Sequence, residues 1–195
     1  MGRIFCIMGM SGTGKDTVYK CLIHDRRLRL RGIVTYTTRP MRDGERQGVE
    51  YRFVSVADLD RLRAARQVVE ERHYDTVQGR WYYFTADDGQ IDLRKNNYLM
   101  IATPEAFVRF KARFGRERVV PLYIRVEDGE RLRRALHRER RRRAPDYEEM
   151  CRRFLADKED FSPEKLARAG IEKTYDNSIL KNCLAVIRAD ILGLL

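Results

Sequence analysis

Hydrophobic and polar positions fall into alternating blocks along the chain. Residues 3–8 form a short apolar run and predict a buried strand. Residues 14–28 carry Val18, Leu22 and Ile23 at helical spacing and predict a helix. Residues 33–84 have a different texture. Short β-like pieces at 34–36, 51–54 and 81–84 surround turn residues such as Asp43 and Gly44, and one short helix over 57–65 interrupts them. The earlier pattern then resumes with a buried strand at 98–102. A helix follows at 104–114, with Pro104 in its first turn, where a missing N–H costs little. Residues 119–126 predict another strand. Two charged helices, 128–143 and 146–160, break near Ala144 and Pro145, because proline disfavours helix in the residue before it. Residues 171–175 predict the last strand and 178–192 the last helix. Alternating strands and helices imply an α/β fold with a largely parallel sheet and helices on both faces. The 33–84 region reads as an insertion outside that sheet.

Composition narrows the class. The chain of 195 residues is long enough for one sizeable core with inserted lobes, and its 43% hydrophobic and 35% charged residues give a globular balance. No apolar run approaches the ~18 residues that cross a bilayer. The apolar stretch at 4–8 is only strand length and runs into glycines, so it is not read as a signal peptide. A cytoplasmic protein is expected. Cys6, Cys21, Cys151 and Cys183 are far apart and form no C-x-x-C pair, which predicts reduced, mostly buried thiols and no cysteine-held metal. The net charge of +11 suits polyanionic partners. Its excess arginine concentrates between Arg131 and Arg153, where a solvated helix face accounts for part of the run. No aromatic-basic platform accompanies it, so nucleic acid ranks low as a partner.

The first chemistry follows the first strand. Gly9-Met10-Ser11-Gly12-Thr13-Gly14-Lys15 fits G-x-x-x-x-G-K. Glycines let backbone N–H groups turn inward around phosphate oxygens, and the helix that begins there points its positive end at the same phosphates. Lys15 would reach the β- and γ-phosphates of ATP. The plain alternative is a glycine-rich turn; the strand before and the helix after favour a phosphate loop. Asp16 stands where Ser or Thr usually ligates Mg²⁺, and Thr17 follows it. A carboxylate is a good hard-oxygen ligand, so Asp16 would hold Mg²⁺ directly or through water; alternatively it faces away and Thr17 or water substitutes.

A second motif, residues 35–55, reads TYTTRPMRDGERQGVEYRFVS. It resembles the GMP-binding segment of guanylate kinases, T-T-R-x-P-R-x-G-E-x-x-G-x-D-Y-x-F-V-S. The resemblance is strongest from residue 9 to residue 70. It implies a P-loop NTPase three-layer fold with a parallel core sheet, an inserted NMP-binding lobe (34–85) and a helical lid (128–167) on a core of 1–33, 86–127 and 168–195, all in one domain. It further implies that Arg39 and Arg42 grip the acceptor monophosphate, as guanidinium forks suit phosphate oxygens, with Tyr51 donating to the same group. Glu70 would accept from guanine N1–H and the 2-amino group, donors that adenine lacks on that edge. Thr35 falls near guanine O6, and Tyr83 and Thr85 replace the family's Y-G-[ST] piece, with Phe84 at the usual glycine.

Family register points to Arg138 or Arg140 and to Arg152 or Arg153 as catalytic lid arginines; Arg138, Arg140 and Arg153 are taken here, beside Lys15 and Arg39. Asp176-Asn177 resembles the V-N-D element beside the adenosine site, which adds Asn177 to the ATP-binding set of residues 9–17. The family's acidic L-D-x-D strand end is absent: the strand reads Leu99-Met100-Ile101-Ala102. Asp16 is then a candidate replacement for the lost charge. The expected function is Mg²⁺- and ATP-dependent phosphorylation of GMP or dGMP. A kinase of other base preference and a non-catalytic guanylate-kinase-like binding module are the alternatives; oligomeric state is not legible.

Overall fold

The computed structural model describes every residue except Asp43, Val77 and Gln78. The turn expected at Asp43 lies outside the described residues. The main sheet has five strands, ordered β2-β7-β1-β8-β9, and every pairing in it is parallel. These strands are β1 (Ile4–Met8), β2 (Leu30–Gly32), β7 (Asn97–Ile101), β8 (Val119–Arg125) and β9 (Thr174–Asp176).

Side chains alternate between the two faces of a strand. Ile4, Cys6 and Met8 of β1 therefore join one core cluster, with Phe107 and Phe110 of α3 (Pro104–Phe114). Phe5 and Ile7 join the other, with Val18 and Leu22 of α1 (Lys15–Ile23) and Ile187 and Ile191 of α7 (Leu180–Leu194). The result is a three-layer α/β sandwich. Among the described residues no helix is long and apolar enough to cross a membrane. All four cysteines are free; Cys151 is exposed and Cys21 half-buried, so burial reaches only Cys6 and Cys183.

A second sheet is inserted between β2 and β7. Its order is β4-β3-β6-β5, from β3 (Tyr36–Thr37), β4 (Arg52–Phe53), β5 (Val68–Thr76) and β6 (Gly79–Ala86). One face packs on α2 (Val56–Ala64) through Tyr36, Leu59, Phe84 and Ala86. Ser55 starts that helix with a reciprocal capping box to Asp58. Two charged helices, α4 (Asp128–Arg140) and α5 (Tyr147–Asp160), follow β8.

Several elements differ from expectation. Helix α1 ends at Ile23, and Leu28 closes a turn onto Asp25 as a buried loop residue. The three-residue strand β2 was hidden because arginines flank Leu30. The polar strand β5 is held by its long antiparallel pairing with β6, not by its own pattern. An extra helix, α6 (Pro163–Ala169), carries a Ser162 cap and Pro163 in its first turn.

Phe84 is fully buried and stacks on Tyr36 with ring centroids 4.9 Å apart. Phe84→Ala is expected to destabilise the protein by about 3–5 kcal/mol in denaturant titrations. A change below 1 kcal/mol would contradict this packing role.

Candidate active site

Residues 9–14 turn from β1 into α1. Gly12 (φ +84°) and Gly14 (φ +79°) occupy the left-handed region. A β-carbon at Gly12 would stand 2.6 Å from the Arg131 carbonyl oxygen, and one at Gly14 2.7 Å from Asn177 Nδ2. Both conformation and packing therefore require glycine. The Thr13 hydroxyl donates to the Met10 carbonyl at 2.8 Å, and Asn177 Nδ2 donates to the Thr13 carbonyl at 2.7 Å. Asn177 Oδ1 is buried without a partner among the described residues. No side chain caps the start of α1. Its first amides and its positive dipole end stay available to an anion.

Lys15 is half-buried at that start, with Asp16 and Thr17 exposed on the same turn. Among the described residues no group of three or more His, Cys, Asp or Glu forms a self-contained metal cage. The exposed Asp16 carboxylate beside the loop suits Mg²⁺, which commonly takes one or two carboxylates and completes its shell with phosphate and water. Arg134 also borders the loop: its Nε donates to Glu130 at 2.7 Å and its Nη2 to the Asn177 carbonyl at 3.2 Å.

The second sheet turns its other face to a cleft. Register places Glu70 opposite Thr85, and Arg72 opposite Tyr83. The Thr85 hydroxyl donates to Glu70 Oε1 at 2.9 Å. Glu70 is only 8% exposed. Burial pushes its carboxyl above the usual range; Arg72 and Thr85 pull it back, and Glu105 adds to the rise. Glu70 lines a cavity of about 260 Å³ with Val69, Thr103, Glu105 and Arg109.

At the other end of the same face, Arg39 is buried and grips Glu45 with two bonds, at 2.8 and 2.5 Å. The guanidinium stands over the Tyr51 and Phe53 rings at 5.1 and 5.3 Å. Tyr51 meets Tyr83 edge-on at 5.7 Å. Glu45 also accepts the Arg42 N–H at 2.8 Å, while the Arg42 side chain is exposed. Arg39 holds the Glu45 carboxyl down at about 2. Thr35 lies just before β3, half-buried, with its carbonyl accepting the Arg52 N–H at 2.9 Å. Phe84 points to the α2 side, so its replacement of the family's glycine does not intrude on this face.

On the helical pair, Arg138 and Arg153 line one narrow cavity with Ser11, Glu149 and Phe154. Arg153 is paired to Glu149 at 2.6 Å. Arg140 does not line that cavity; two residues further along α4, it projects about 200° away from Arg138. Sequence reasoning missed four polar residues beside these sites: Arg131, Arg134, Asp157 and Glu105. The first two are inconspicuous within an arginine run, and nothing local marks the carboxylates.

Comparison with known proteins bears on the N-terminal sequence and on the fold. The family model for guanylate kinase matches residues 1–82. The guanylate kinase of Mycoplasma pneumoniae is 43% identical over 74 residues, 38% of this chain and 31% of that protein. That of Neisseria gonorrhoeae is 40% identical over 100 residues, 51% of this chain and 46% of that protein. The matched stretch thus spans less than half of these relatives. The crystal structure of guanylate kinase from Anaplasma phagocytophilum superimposes with a TM-score of 0.68 over 98% of this chain and 85% of that one, at 19% identity, and so supports the fold. The phosphate loop and the Arg39–Glu45 pair lie within residues 1–82, the part of the chain that is similar to guanylate kinases in sequence, and the fold of the whole chain is similar to theirs.

Proposed function

We propose that the protein is an ATP-dependent guanylate kinase that transfers the γ-phosphoryl group to GMP or dGMP. The observation that carries this reading is Glu70, a nearly buried carboxylate held by Thr85 and lining a cavity on the acceptor face. A carboxylate fixed in this way accepts two N–H donors in a plane, which guanine presents and adenine does not. With this activity go a cytoplasmic location, a core of 1–33, 86–127 and 168–195, an acceptor lobe at 34–85 and a lid at 128–167.

Little covalent chemistry is required of the chain; alignment and charge screening carry the reaction. Residues 9–17 receive the donor phosphates, with Lys15 toward the β- and γ-groups and Asn177 bracing the loop from behind. Arg39, Arg42, Tyr51 and Tyr83 receive the acceptor phosphate, with Arg39 already oriented by Glu45. Thr35, Glu70 and Thr85 face the base. Arg138 and Arg153, on the cavity beside Ser11, suit the role of neutralising the transferring group better than Arg140 does. Mg²⁺, which Asp16 would hold, supplies further screening of phosphate charge.

One observation favours a second reading, altered base preference. Met100 and Ala102, at the carboxylate-free strand end, are packed into the core. Turnover of GMP, dGMP, AMP, CMP and UMP, with and without Mg²⁺, decides between the two. GMP and dGMP turnover is expected to dominate; preference for another base would overturn the first reading, and ATP binding without any turnover would indicate a binding module.

Glu70→Gln keeps the shape and loses one acceptor. It is expected to lower kcat/KM for GMP roughly 10- to 100-fold, the loss of a hydrogen bond to a charged group of ~1.5–3 kcal/mol. Protonation removes the same acceptor. Because the Glu70 carboxyl sits above the usual range, GMP affinity is expected to fall with decreasing pH while still above the ordinary glutamate value of about 4.3. That acid limb should vanish in the Gln variant.

Asp16→Ala is expected to raise the Mg²⁺ concentration needed for half-maximal turnover at least ~5-fold, a modest share of a single carboxylate ligand's contribution. An unchanged Mg²⁺ dependence would remove Asp16 from the metal site.

A further inference from the structure

Arg131 of α4 is among the largest side chains that are fully buried, 1% exposed. Its Nε donates to the Ser11 carbonyl at 3.0 Å, Nη1 to Asp128 at 2.6 Å and Nη2 to Asp157 of α5 at 3.3 Å. The Phe154 ring covers the guanidinium, 4.7 Å from its centre. Asp157 Oδ2 in turn accepts the Ser11 N–H at 2.5 Å. The two peptide groups flanking the Ser11 α-carbon are thus held by one ion pair, with Arg131 buried and Asp157 18% exposed, and both rotations at Ser11 are restrained. Gly12 packs directly against the Arg131 backbone.

A buried ion pair is an inefficient way merely to fill space. Apolar residues of similar volume often give equal or greater stability. What the pair supplies and an apolar pair does not is direction: a donor and an acceptor fixed on one residue of the loop. Elsewhere the loop is held by the Thr13–Met10 and Asn177–Thr13 bonds, neither of which reaches Ser11.

We propose that Arg131 and Asp157 are positioning residues for the donor loop. They set the Ser11 peptides in the conformation that receives the donor phosphates, and they tie that conformation to the α4–α5 pair. Donor binding and the placement of the helices that carry Arg138 and Arg153 then depend on one another. This inference rests on the donor half of the proposed function, and only on that half.

The test reads Mg·ATP affinity by calorimetric titration with no acceptor present, together with Tm and the separate KM values for ATP and GMP. Asp157→Asn keeps the shape but not the charge. Arg131→Lys keeps the charge but not the fork that reaches three acceptors. Each is expected to weaken Mg·ATP binding roughly tenfold, which is ~1.4 kcal/mol, and to leave the KM for GMP within about twofold, the margin expected where uniform binding is untouched. The apolar pair Arg131→Leu with Asp157→Ala is expected to restore Tm to the wild-type value or above while ATP binding stays weak. Recovery of Tm and ATP affinity together in that double variant would reduce the pair to packing and overturn the proposal, as would unchanged affinity in both single variants. A wild-type chain that binds no Mg·ATP overturns it along with the donor site. One that binds Mg·ATP without phosphorylating GMP refutes the proposed function alone, and the affinity comparison still decides the role of the pair.

Discussion

Strand β1 is paired on both edges and buried on both faces, and the placement of the phosphate loop depends on that. All five of its residues are completely inaccessible, and its register is fixed against β7 on one side and β8 on the other. A one-residue slip would exchange the two core faces. The end of β1 at Met8 is therefore a fixed point. The loop leaves from it and returns to the same core through Val18 and Leu22 of α1. Between these anchors the chain bends through two left-handed glycines, which contribute no side-chain packing of their own. Its shape must come from neighbours: Asn177 after β9, and the Arg131–Asp157 pair on the helices after β8. Elements remote in sequence thus converge on the loop because the parallel sheet brings its strand ends to one edge.

The inserted sheet follows a different rule. Its own apolar cluster is small and lies on the face against α2, and Val69 of β5 packs against the main core. The opposite face holds Glu70, Thr85, Tyr83 and Arg72, residues that a second apolar layer would have had to exclude. Leaving that face open is what allows a polar pocket there, and cross-strand pairing replaces packing as the source of order. The Arg39–Glu45 pair does the same work at the other end, by fixing the orientation of a guanidinium.

The core elements are legible because apolar runs and helical periodicity report burial: β1 is an apolar run buried at every residue, the apolar run of β8 is buried at residues 122–124, and α3 buries one regular face. Strand β5 was not legible, because Val68–Thr76 owes its conformation to β6 and its sequence is mostly polar. Strand β2 is too short to show a period. The phosphate loop could be read from local residues alone, since its geometry demands glycine. Glu70 could not; only the family resemblance singled it out from Glu71, and its burial and bond to Thr85 are tertiary facts. Arg131 is the extreme case. In sequence it is one arginine among many; its distinction lies in a partner 26 residues away.

Net charge is for the same reason a poor guide to where anions bind. On α4, α5 and the turn between them, five arginines answer carboxylates about one helical turn away: Arg133 and Arg134 on Glu130, Arg142 on Glu139, Arg152 and Arg153 on Glu149. Exposed pairs of this kind are worth little to stability, and a phosphate can compete for their arginines because a doubly charged anion outbids a single solvated carboxylate. A buried pair behaves oppositely. Arg131 is shielded by Phe154 and satisfied by three acceptors, so an incoming phosphate cannot recruit it without breaking the contacts that shape the loop. Arginine on the same helix pair thus separates into two physical kinds. The exposed kind, such as Arg153 on Glu149, is free to exchange partners, and the buried kind is held in place against the loop.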